Sequence, residues 1–355
     1  MAMSPADLKS SAPRVLFLAD CGAEAGGGHV MRCLSLVQAL QARGAVCAMV
    51  ATPAVVRVLD AFADERLVRL AAPEGPLHGL VEAAREAAGQ WAPSVIVVDH
   101  YRLGALHELR LSGVAGAIAV IDDLADREHA CRLLVDPTLG RAAQDYAPLT
   151  PPGTPVLTGP AYALLAPAYA QACGATLRAR QAEARPRRLL VSLGLMDHGG
   201  ITGRVLNLIQ PEVGDLELDV VVGAGAKGLP WLRHLAGLDP RMRLHVDTRE
   251  MASLIAAADI GVGAGGSSTW ERATLGLPSI SLILAENQRG LALGLDRRGA
   301  SLAVDARREG FAASLPEAFG RLLGDGELRL RLSRTSAELC DGEGALRVSE
   351  AVTGL

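Results

Sequence analysis

The sequence contains few aromatic residues and no excess of charge of either sign. Phe, Trp and Tyr make up 3% of the 355 residues, which argues against a stacking platform for single-stranded nucleic acid. The 35 Lys and Arg residues nearly balance the 39 Asp and Glu residues, and the formal net charge is −4. Because no basic surface is indicated, we expect no nucleic acid partner.

Cysteine pairs and long apolar runs are also missing. The six cysteines form no C-x-x-C pair, and no histidine-rich cluster has the spacing of a zinc site. No apolar run reaches the roughly 18 residues of a membrane helix, and residues 1–12 lack the apolar core of a signal peptide. We therefore expect a soluble, cytoplasmic protein with no metal and no membrane insertion.

What is present is enough hydrophobic sequence, 50% of the chain, for two domains with a cleft between them. The composition changes midway: the chain is rich in Pro and Gly from Tyr146 to Pro167, then polar and Arg-rich over 174–186. We predict a disordered N-terminus at 1–13, a first domain at 14–170, a linker at 171–186, a second domain at 187–330, and a C-terminal helix at 331–355 that can pack back on the first domain.

Short apolar runs alternate with helical patterns in both halves of the chain. The runs are typical of buried parallel strands. This alternation predicts an α/β protein with two Rossmann-like, doubly wound domains whose strand ends face a central cleft. Strands are predicted at 15–20, 45–52, 94–101, 117–126, 132–138, 187–194, 216–223, 243–248, 260–266 and 278–284, and helices at 30–44, 200–209, 250–259, 268–276, 287–299 and 313–340.

A Gly-rich turn, Ala25-Gly26-Gly27-Gly28, joins the first predicted strand to the first helix and is followed by His29. The glycines let the backbone approach a ligand, and a helix start offers unpaired N–H groups to an anion or a polar sugar. The helix dipole disfavours a charged imidazole, which makes His29 a candidate general base. The alternatives are a hydrogen-bonded loop histidine and, for Arg32, a solvent-facing side chain.

Two segments match the dinucleotide pattern G-x-G-x-x-G, at 223–228 and 261–266. Two matches in one Gly-rich chain show how weak the pattern is. The first match is followed by Leu-Pro rather than by a clean helix start. The second match turns directly into a helix through Gly265, Gly266, Ser267, Ser268 and Thr269, an arrangement that suits phosphate oxygens.

Glu271 has two interpretations. In the pattern Ser268-x-x-Glu271 it forms a capping box, which explains both residues by helix structure alone. Alternatively, Glu271 faces the cleft and accepts hydrogen bonds from a ribose.

Polar residues follow several predicted strands. Asp99, His100 and Tyr101 end one strand, and Asp122 and Asp123 end another. Such residues either face the ligand crevice or cap the next helix. A metal site at the two adjacent aspartates is an alternative, which their divergent side-chain directions disfavour.

The last predicted strand of the second half is followed by Asn287 and Gln288. Their amides could hold acetamido or hydroxyl groups of a sugar. Loop solubility is the alternative.

Eight segments occur in one order over about residues 14–300: GGGHVMRCLSL, VDHY, IDDLADR, LLVDPT, GPAYALLAP, VSLG-x-x-D, GAGGSSTWERATLGLPS and ENQ. Together they resemble the UDP-sugar hydrolases of pseudaminic acid biosynthesis, which remove UDP from UDP-2,4-diacetamido-2,4,6-trideoxy-β-L-altropyranose. That family is similar to the GT-B glycosyltransferases, in particular the N-acetylglucosaminyl transferase of peptidoglycan synthesis. The resemblance therefore implies the GT-B type of α/β fold and a UDP-sugar substrate.

The resemblance also implies roles for individual residues. His29 is the expected catalytic base, which activates water to attack the anomeric carbon with inversion, and no metal or cofactor is expected. The N–H groups of Gly265 and Gly266 are expected to stabilise the diphosphate, and Glu271 to bind the ribose. The candidate catalytic residues are His29, Tyr101 and Asn287, and the candidate substrate-binding residues are Asp20, Gly28, Arg32, Asp99, Gly194, Gly265, Gly266, Ser267, Ser268, Glu271 and Gln288.

Two positions depart from the family pattern. The first loop keeps Asp20 but lacks the arginine that usually precedes it, and Leu195 stands where a second glycine is usual after Gly194. Two other functions remain open: a GT-B glycosyltransferase with a sugar or lipid acceptor, and a nucleotide-sugar-binding protein without turnover. No oligomeric state is predicted.

Overall fold

The first domain is built on a parallel sheet. The structure is a computed structural model that describes residues 12–22, 26–181 and 185–355; of the N-terminus predicted to be disordered at 1–13, residues 1–11 lie outside the described residues. In the described part, seven parallel strands have the order β3-β2-β1-β4-β5-β6-β7. The strands are β1 (Arg14–Ala19), β2 (Val46–Ala51), β3 (Val68–Ala71), β4 (Val95–Asp99), β5 (Ala117–Ile121), β6 (Leu133–Asp136) and β7 (Val156–Thr158), and the helices are α1 (Gly28–Ala42), α2 (Pro53–Phe62), α3 (Leu77–Trp91), α4 (Ala105–Ser112) and α5 (Pro167–Ala179).

The second domain repeats this plan. Its described strands form a six-stranded parallel sheet in the order β10-β9-β8-β11-β12-β13. The strands are β8 (Arg188–Ser192), β9 (Glu217–Val222), β10 (Met242–Val246), β11 (Ile260–Ala264), β12 (Ser279–Ile283) and β13 (Leu302–Asp305), and the helices are α6 (Ile201–Val213), α7 (Leu229–Leu238), α8 (Met251–Ala257), α9 (Ser268–Thr274), α10 (Glu286–Arg297), α11 (Phe311–Gly324) and α12 (Gly326–Leu339). The last helix, α13 (Gly344–Thr353), packs on the first domain. The predicted pair of doubly wound domains is confirmed.

Burial on both faces explains the apolar strands. In β1, Val15 and Phe17 pack on one side of the sheet in the cluster that contains α1, whereas Leu16 and Leu18 pack on the other side near α3. One face of α1 is apolar and buried, namely Val30, Cys33, Leu34, Val37 and Leu40. Alternate residues thus serve two layers of helices, as parallel sheets require.

The strand order of each sheet indicates where a ligand cleft is expected. In each sheet the order reverses between the first and fourth strands of the domain, β1 and β4 in one and β8 and β11 in the other. Ligands of open parallel sheets bind outside the carboxyl ends of the strands at such a reversal. A ligand is therefore expected at the loops after these four strands.

The predicted linker at 171–186 contains the end of a helix, because α5 begins at Pro167, which fits a first helical turn, and runs to Ala179; residues 182–184 lie outside the described residues. Two other sequence interpretations need correction. The Leu-Pro after the 223–228 glycines does begin a helix, α7, for the same reason. The single helix predicted at 313–340 is two helices, because Asp325 has extended backbone and its carboxylate caps α12 at the Leu328 N–H (2.8 Å).

The C-terminal segment connects both domains. In place of one helix at 331–355, α12 stays with the second domain and α13 packs on α1 of the first. Ala345, Val348 and Val352 of α13 are buried in the same cluster as α1. Gly344 begins α13 against the backbone of Ala163, where no Cβ would fit.

Candidate active site

The Gly-rich loop after β1 lies against the second domain. Gly26 has a φ of +69°, a conformation that favours glycine. A Cβ on Gly27 would lie 3.0 Å from Leu195 Cδ1, and a Cβ on Gly28 would lie 3.6 Å from Ser267 Oγ. The glycines thus let this loop approach the second domain, whereas Ala25 of the motif lies outside the described residues.

His29 is buried in the first turn of α1 and is oriented by Asp99 at the end of β4. Their Nδ1 and Oδ1 atoms are 2.5 Å apart. A carboxylate only accepts hydrogen bonds, so Nδ1 carries the proton and Nε2 is left to accept one. The ring of Tyr101 contacts the imidazole edge-on, with 4.4 Å between ring centroids. This is the geometry of a histidine base with an orienting carboxylate.

Asp99 and Arg32, both predicted to bind substrate, form a buried ion pair with each other. Arg32 Nε and Nη2 each donate to the Asp99 carboxylate at 2.6 Å, and Asp99 is fully buried. Burial acts to raise the pKa of Asp99, but Arg32 and His29 outweigh it and hold the pKa below its usual range. In this conformation Asp99 presents no surface to a ligand, so its place is beside the base rather than in the substrate site.

Tyr101 meets Asn287 across the cleft. Asn287, in the first turn of α10, donates from Nδ2 to the Tyr101 hydroxyl at 3.1 Å. That hydroxyl lies 3.5 Å from Asp123 Oδ2, and burial raises the pKa of Tyr101, which keeps the hydroxyl protonated. The structure thus brings His29, Tyr101 and Asn287 together at the strand ends.

The side chain of Gln288 forms a hydrogen bond to the backbone just before its own helix. Its Oε1 accepts from the Leu284 N–H at 2.9 Å, which satisfies a backbone donor before α10. Its Nε2 would lie 3.6 Å from a Cβ on Gly266, so the amide nitrogen borders the loop after β11.

The loop from Gly265 to Ser268 differs from prediction in one respect. The Gly265 N–H donates to Leu282 O at 2.8 Å, as part of the sheet, so it is not free for a diphosphate. The predicted pair of amides at Gly265 and Gly266 is therefore reduced to the second. Ser267 is exposed beside the first domain, and α9 begins at Ser268.

The capping-box interpretation of Glu271 is wrong. Ser267, not Ser268, precedes the helix, and no side chain caps the helix start. Glu271 instead shares a hydrogen bond with the Tyr169 hydroxyl of α5, and burial raises its pKa to about 7. This partner comes from about a hundred residues earlier, where no sequence signal pointed to it.

Arg272 forms hydrogen bonds to both ends of the loop from Gly265 to Ser268 and is not among the predicted site residues. Its Nη2 donates to Ala264 O at 2.9 Å, and its Nη1 contacts Ser268 O and Oγ at 3.3 Å each. Burial lowers the pKa of Arg272 to about 10. A Cβ on Gly263 would collide with the guanidinium, so a glycine inside a strand was the available signal for a close approach.

The first G-x-G-x-x-G match is explained by packing. Gly223 N–H donates to Leu195 O at 2.9 Å, and a Cβ on Gly223 would lie 2.5 Å from that oxygen. A Cβ on Gly228 would collide with Asp197 Oδ2. These glycines accommodate the loop after β8, which Gly194 opens with a φ of +104°.

Asp20 lies beside His100 at the ends of β1 and β4. The Asp20 N–H donates to Asp99 O at 2.8 Å, and its carboxylate is 3.6 Å from His100 Nδ1. Burial lowers the pKa of His100 to about 4, so this imidazole is neutral at pH 7.

Asp122 and Asp123 do not form a metal site. Asp122 is buried and accepts from the Tyr146 hydroxyl at 2.7 Å, whereas Asp123 accepts from Arg32 Nη1 at 2.8 Å. The two carboxylates belong to separate networks. Among the residues that the structure describes, no group of three or more His, Cys, Asp and Glu side chains is placed to hold a metal ion.

Comparisons with known proteins support the fold. No protein-family model matches the chain. The spore coat polysaccharide biosynthesis protein SpsG of Bacillus subtilis (strain 168) is 27% identical over 204 residues, which cover 57% of this chain and 59% of that protein. The match thus spans less than two thirds of the relative's length.

Two solved structures show the same architecture over nearly the whole chain. Acinetobacter baumannii MurG has a TM-score of 0.65 at 14% identity, covering 97% of this chain and 100% of that one. LpCGTa in complex with UDP has a TM-score of 0.65 at 13% identity, with the same coverage. The predicted GT-B fold is therefore confirmed. No helix in the described ranges combines the length and hydrophobicity that a bilayer crossing requires.

Proposed function

We propose that the protein hydrolyses a UDP-sugar at the anomeric carbon and releases UDP and the free sugar with inversion. The observation that carries this proposal is the His29–Asp99 pair, 2.5 Å apart, buried at the cleft where Tyr101 meets Asn287. A base oriented by a carboxylate suits the activation of water. The sequence resemblance points to UDP-2,4-diacetamido-2,4,6-trideoxy-β-L-altropyranose as the substrate, and hence to pseudaminic acid biosynthesis.

The reaction needs one proton acceptor and one leaving group. His29 Nε2 takes a proton from water, the water oxygen bonds to C1 of the sugar, and the C1–O bond to the diphosphate breaks with its electrons going to UDP. UDP leaves as an anion without a general acid. We place it against Gly266, Ser267 and Ser268, with Glu271 at the ribose, on the second-domain side of the cleft.

Three findings support a nucleotide-sugar substrate. One solved structure with this fold contains UDP, and the curated relative takes part in polysaccharide biosynthesis by its name. The loops after β8 and β11 also face the loop that carries His29, since Leu195 and Ser267 approach Gly27 and Gly28.

The test is incubation of the purified protein with UDP-diacetamido-trideoxyhexoses in H₂¹⁸O. We expect UDP release without any acceptor, ¹⁸O in the sugar and not in UDP, and a first-formed anomer of inverted configuration by proton NMR. Label in UDP would place the cleavage at phosphorus and overturn the mechanism.

A glycosyltransferase is the second candidate, because the similar solved structures include glycosyltransferases such as CalG4. It predicts UDP release only when a sugar or lipid acceptor is added. UDP binding with no release under either condition would favour a nucleotide-sugar-binding protein.

A further inference from the structure

Asp123, which follows β5, connects two parts of the site. Its Oδ2 accepts from Arg32 Nη1 at 2.8 Å and lies 3.5 Å from the Tyr101 hydroxyl. Its Oδ1 is buried and has no hydrogen-bond partner among the described residues. The carboxylate is thus held on one side only, between the arginine and the tyrosine.

Through Asp123, a continuous series of contacts links the second domain to His29. It begins at Asn287, whose amide donates to Tyr101, and passes through Asp123 to the guanidinium of Arg32. From there, two hydrogen bonds of 2.6 Å reach Asp99, which accepts from His29. Asp123 is the link between the tyrosine that meets the second domain and the arginine that holds Asp99.

The charges of this cluster favour proton uptake. Asp99 and Asp123 both accept hydrogen bonds from Arg32, so a positive charge that develops on His29 faces one carboxylate more than the guanidinium neutralises. The next arginine, Arg141, pairs with Asp136 and reaches Asp123 only at its backbone oxygen, at 3.3 Å. Tyr101, on the same side, stays protonated because burial raises its pKa. Removing the Asp123 charge would leave a neutral pair beside the imidazole and make its protonated form less favourable.

Other groups near His29 do not replace this charge. His100 on the loop after β4 is neutral at pH 7, since burial lowers its pKa to about 4. Asp20 after β1 contacts His100 rather than Arg32, and from the second domain Asn287 is uncharged. Asp123 is therefore the carboxylate besides Asp99 that is hydrogen-bonded to the guanidinium.

We infer that Asp123 is a positioning residue of the general base: it holds Arg32 against Asp99 and supplies the second negative charge that favours proton uptake by His29. The inference rests on the proposed hydrolysis. Since the two bonds from Arg32 to Asp99 do not involve Asp123, loss of its charge should leave the fold intact.

The experiment compares Asp123→Asn with Asp126→Asn, an identical change at an exposed position in the same loop. For Asp123→Asn we expect kcat to fall about tenfold and the acidic limb of the kcat/KM profile to move down by about 0.5 to 1 pH unit. Asp126→Asn should retain the wild-type profile. Asp123→Glu should return the acidic limb towards its wild-type position, and the Kd of UDP should change in none of the three.

A wild-type acidic limb in Asp123→Asn overturns the inference, whereas His29-dependent turnover of the wild type leaves the hydrolase proposal standing. If Asp123→Asn does not fold by circular dichroism, Asp123→Ser takes its place and is judged by the same limb. A wild type that releases no UDP from any UDP-sugar overturns the proposed function and, with it, this role.

Discussion

Asn287 donates a hydrogen bond to the hydroxyl of Tyr101 over 3.1 Å, and the two residues belong to different domains. The tyrosine ring also contacts the imidazole of His29. The Asn287–Tyr101 hydrogen bond therefore connects the second domain to the ring that contacts the proposed base.

The coupling between these two residues is open to a double-mutant cycle. Tyr101→Phe keeps the ring against His29 and removes only the hydroxyl, and Asn287→Ala removes the donor. We expect each variant to lose about two- to tenfold in kcat/KM, with a coupling energy of about 0.5 to 1.5 kcal/mol. Tyr162→Phe, outside this contact, is the matched control. Strictly additive effects would show that the contact plays no part in turnover.

Replacing the proposed base should separate chemistry from binding. We expect His29→Asn to lower kcat by about 10²- to 10⁴-fold, the usual contribution of a general base, because asparagine takes no proton from water. The Kd of UDP, measured by calorimetry, should stay within about twofold of wild type. His78→Asn, on the exposed side of α3, controls for the substitution. Undiminished turnover in His29→Asn would remove it as the base.

The raised pKa of Glu271 predicts how the free energy of unfolding depends on pH. Its pKa is raised by burial to about 7, above the unfolded value, so the folded chain binds the proton more tightly. The stabilisation is complete below about pH 4.3 and is lost as the pH rises to about 7. Urea unfolding at pH 5 and pH 8 measures this loss as a difference in the free energy of unfolding. In Glu271→Gln we expect that difference to be smaller by about 2 to 4 kcal/mol. The exposed Glu317→Gln should keep the wild-type dependence, and equal slopes in both variants would contradict the prediction.

Gly263 and Arg272 should be coupled in stability. A Cβ at 263 displaces the guanidinium, so we expect Gly263→Ala to cost about 1 to 3 kcal/mol in urea unfolding and to weaken UDP binding. Combining it with Arg272→Met makes room for the methyl group, so the double variant should be more stable than the sum of the single effects. Gly237→Ala, where a Cβ meets nothing within 4 Å, should be neutral or stabilising. Additive losses would mean that the two positions act independently.

The long, apolar strands and α1 were predictable because buried elements have runs or periodic patterns of apolar residues in the sequence. Such patterns are weaker in the strands that were not predicted. Strand β3 is a short, mostly exposed edge strand, and β7 and β13 have three and four residues. The start of α7 was misread because proline suits a first helical turn as well as a loop.

The sequence by itself determined the α/β class, the doubly wound plan, and the glycines, histidine and polar strand ends that line the cleft. Only the tertiary structure decided their partners: His29 with Asp99, 70 positions away, Tyr101 with Asn287, and Glu271 with Tyr169. It also showed that the Gly265 amide belongs to the sheet. Periodicity records which side of an element is buried, but hydrogen-bond partners depend on how distant elements pack, and local sequence carries no measure of that.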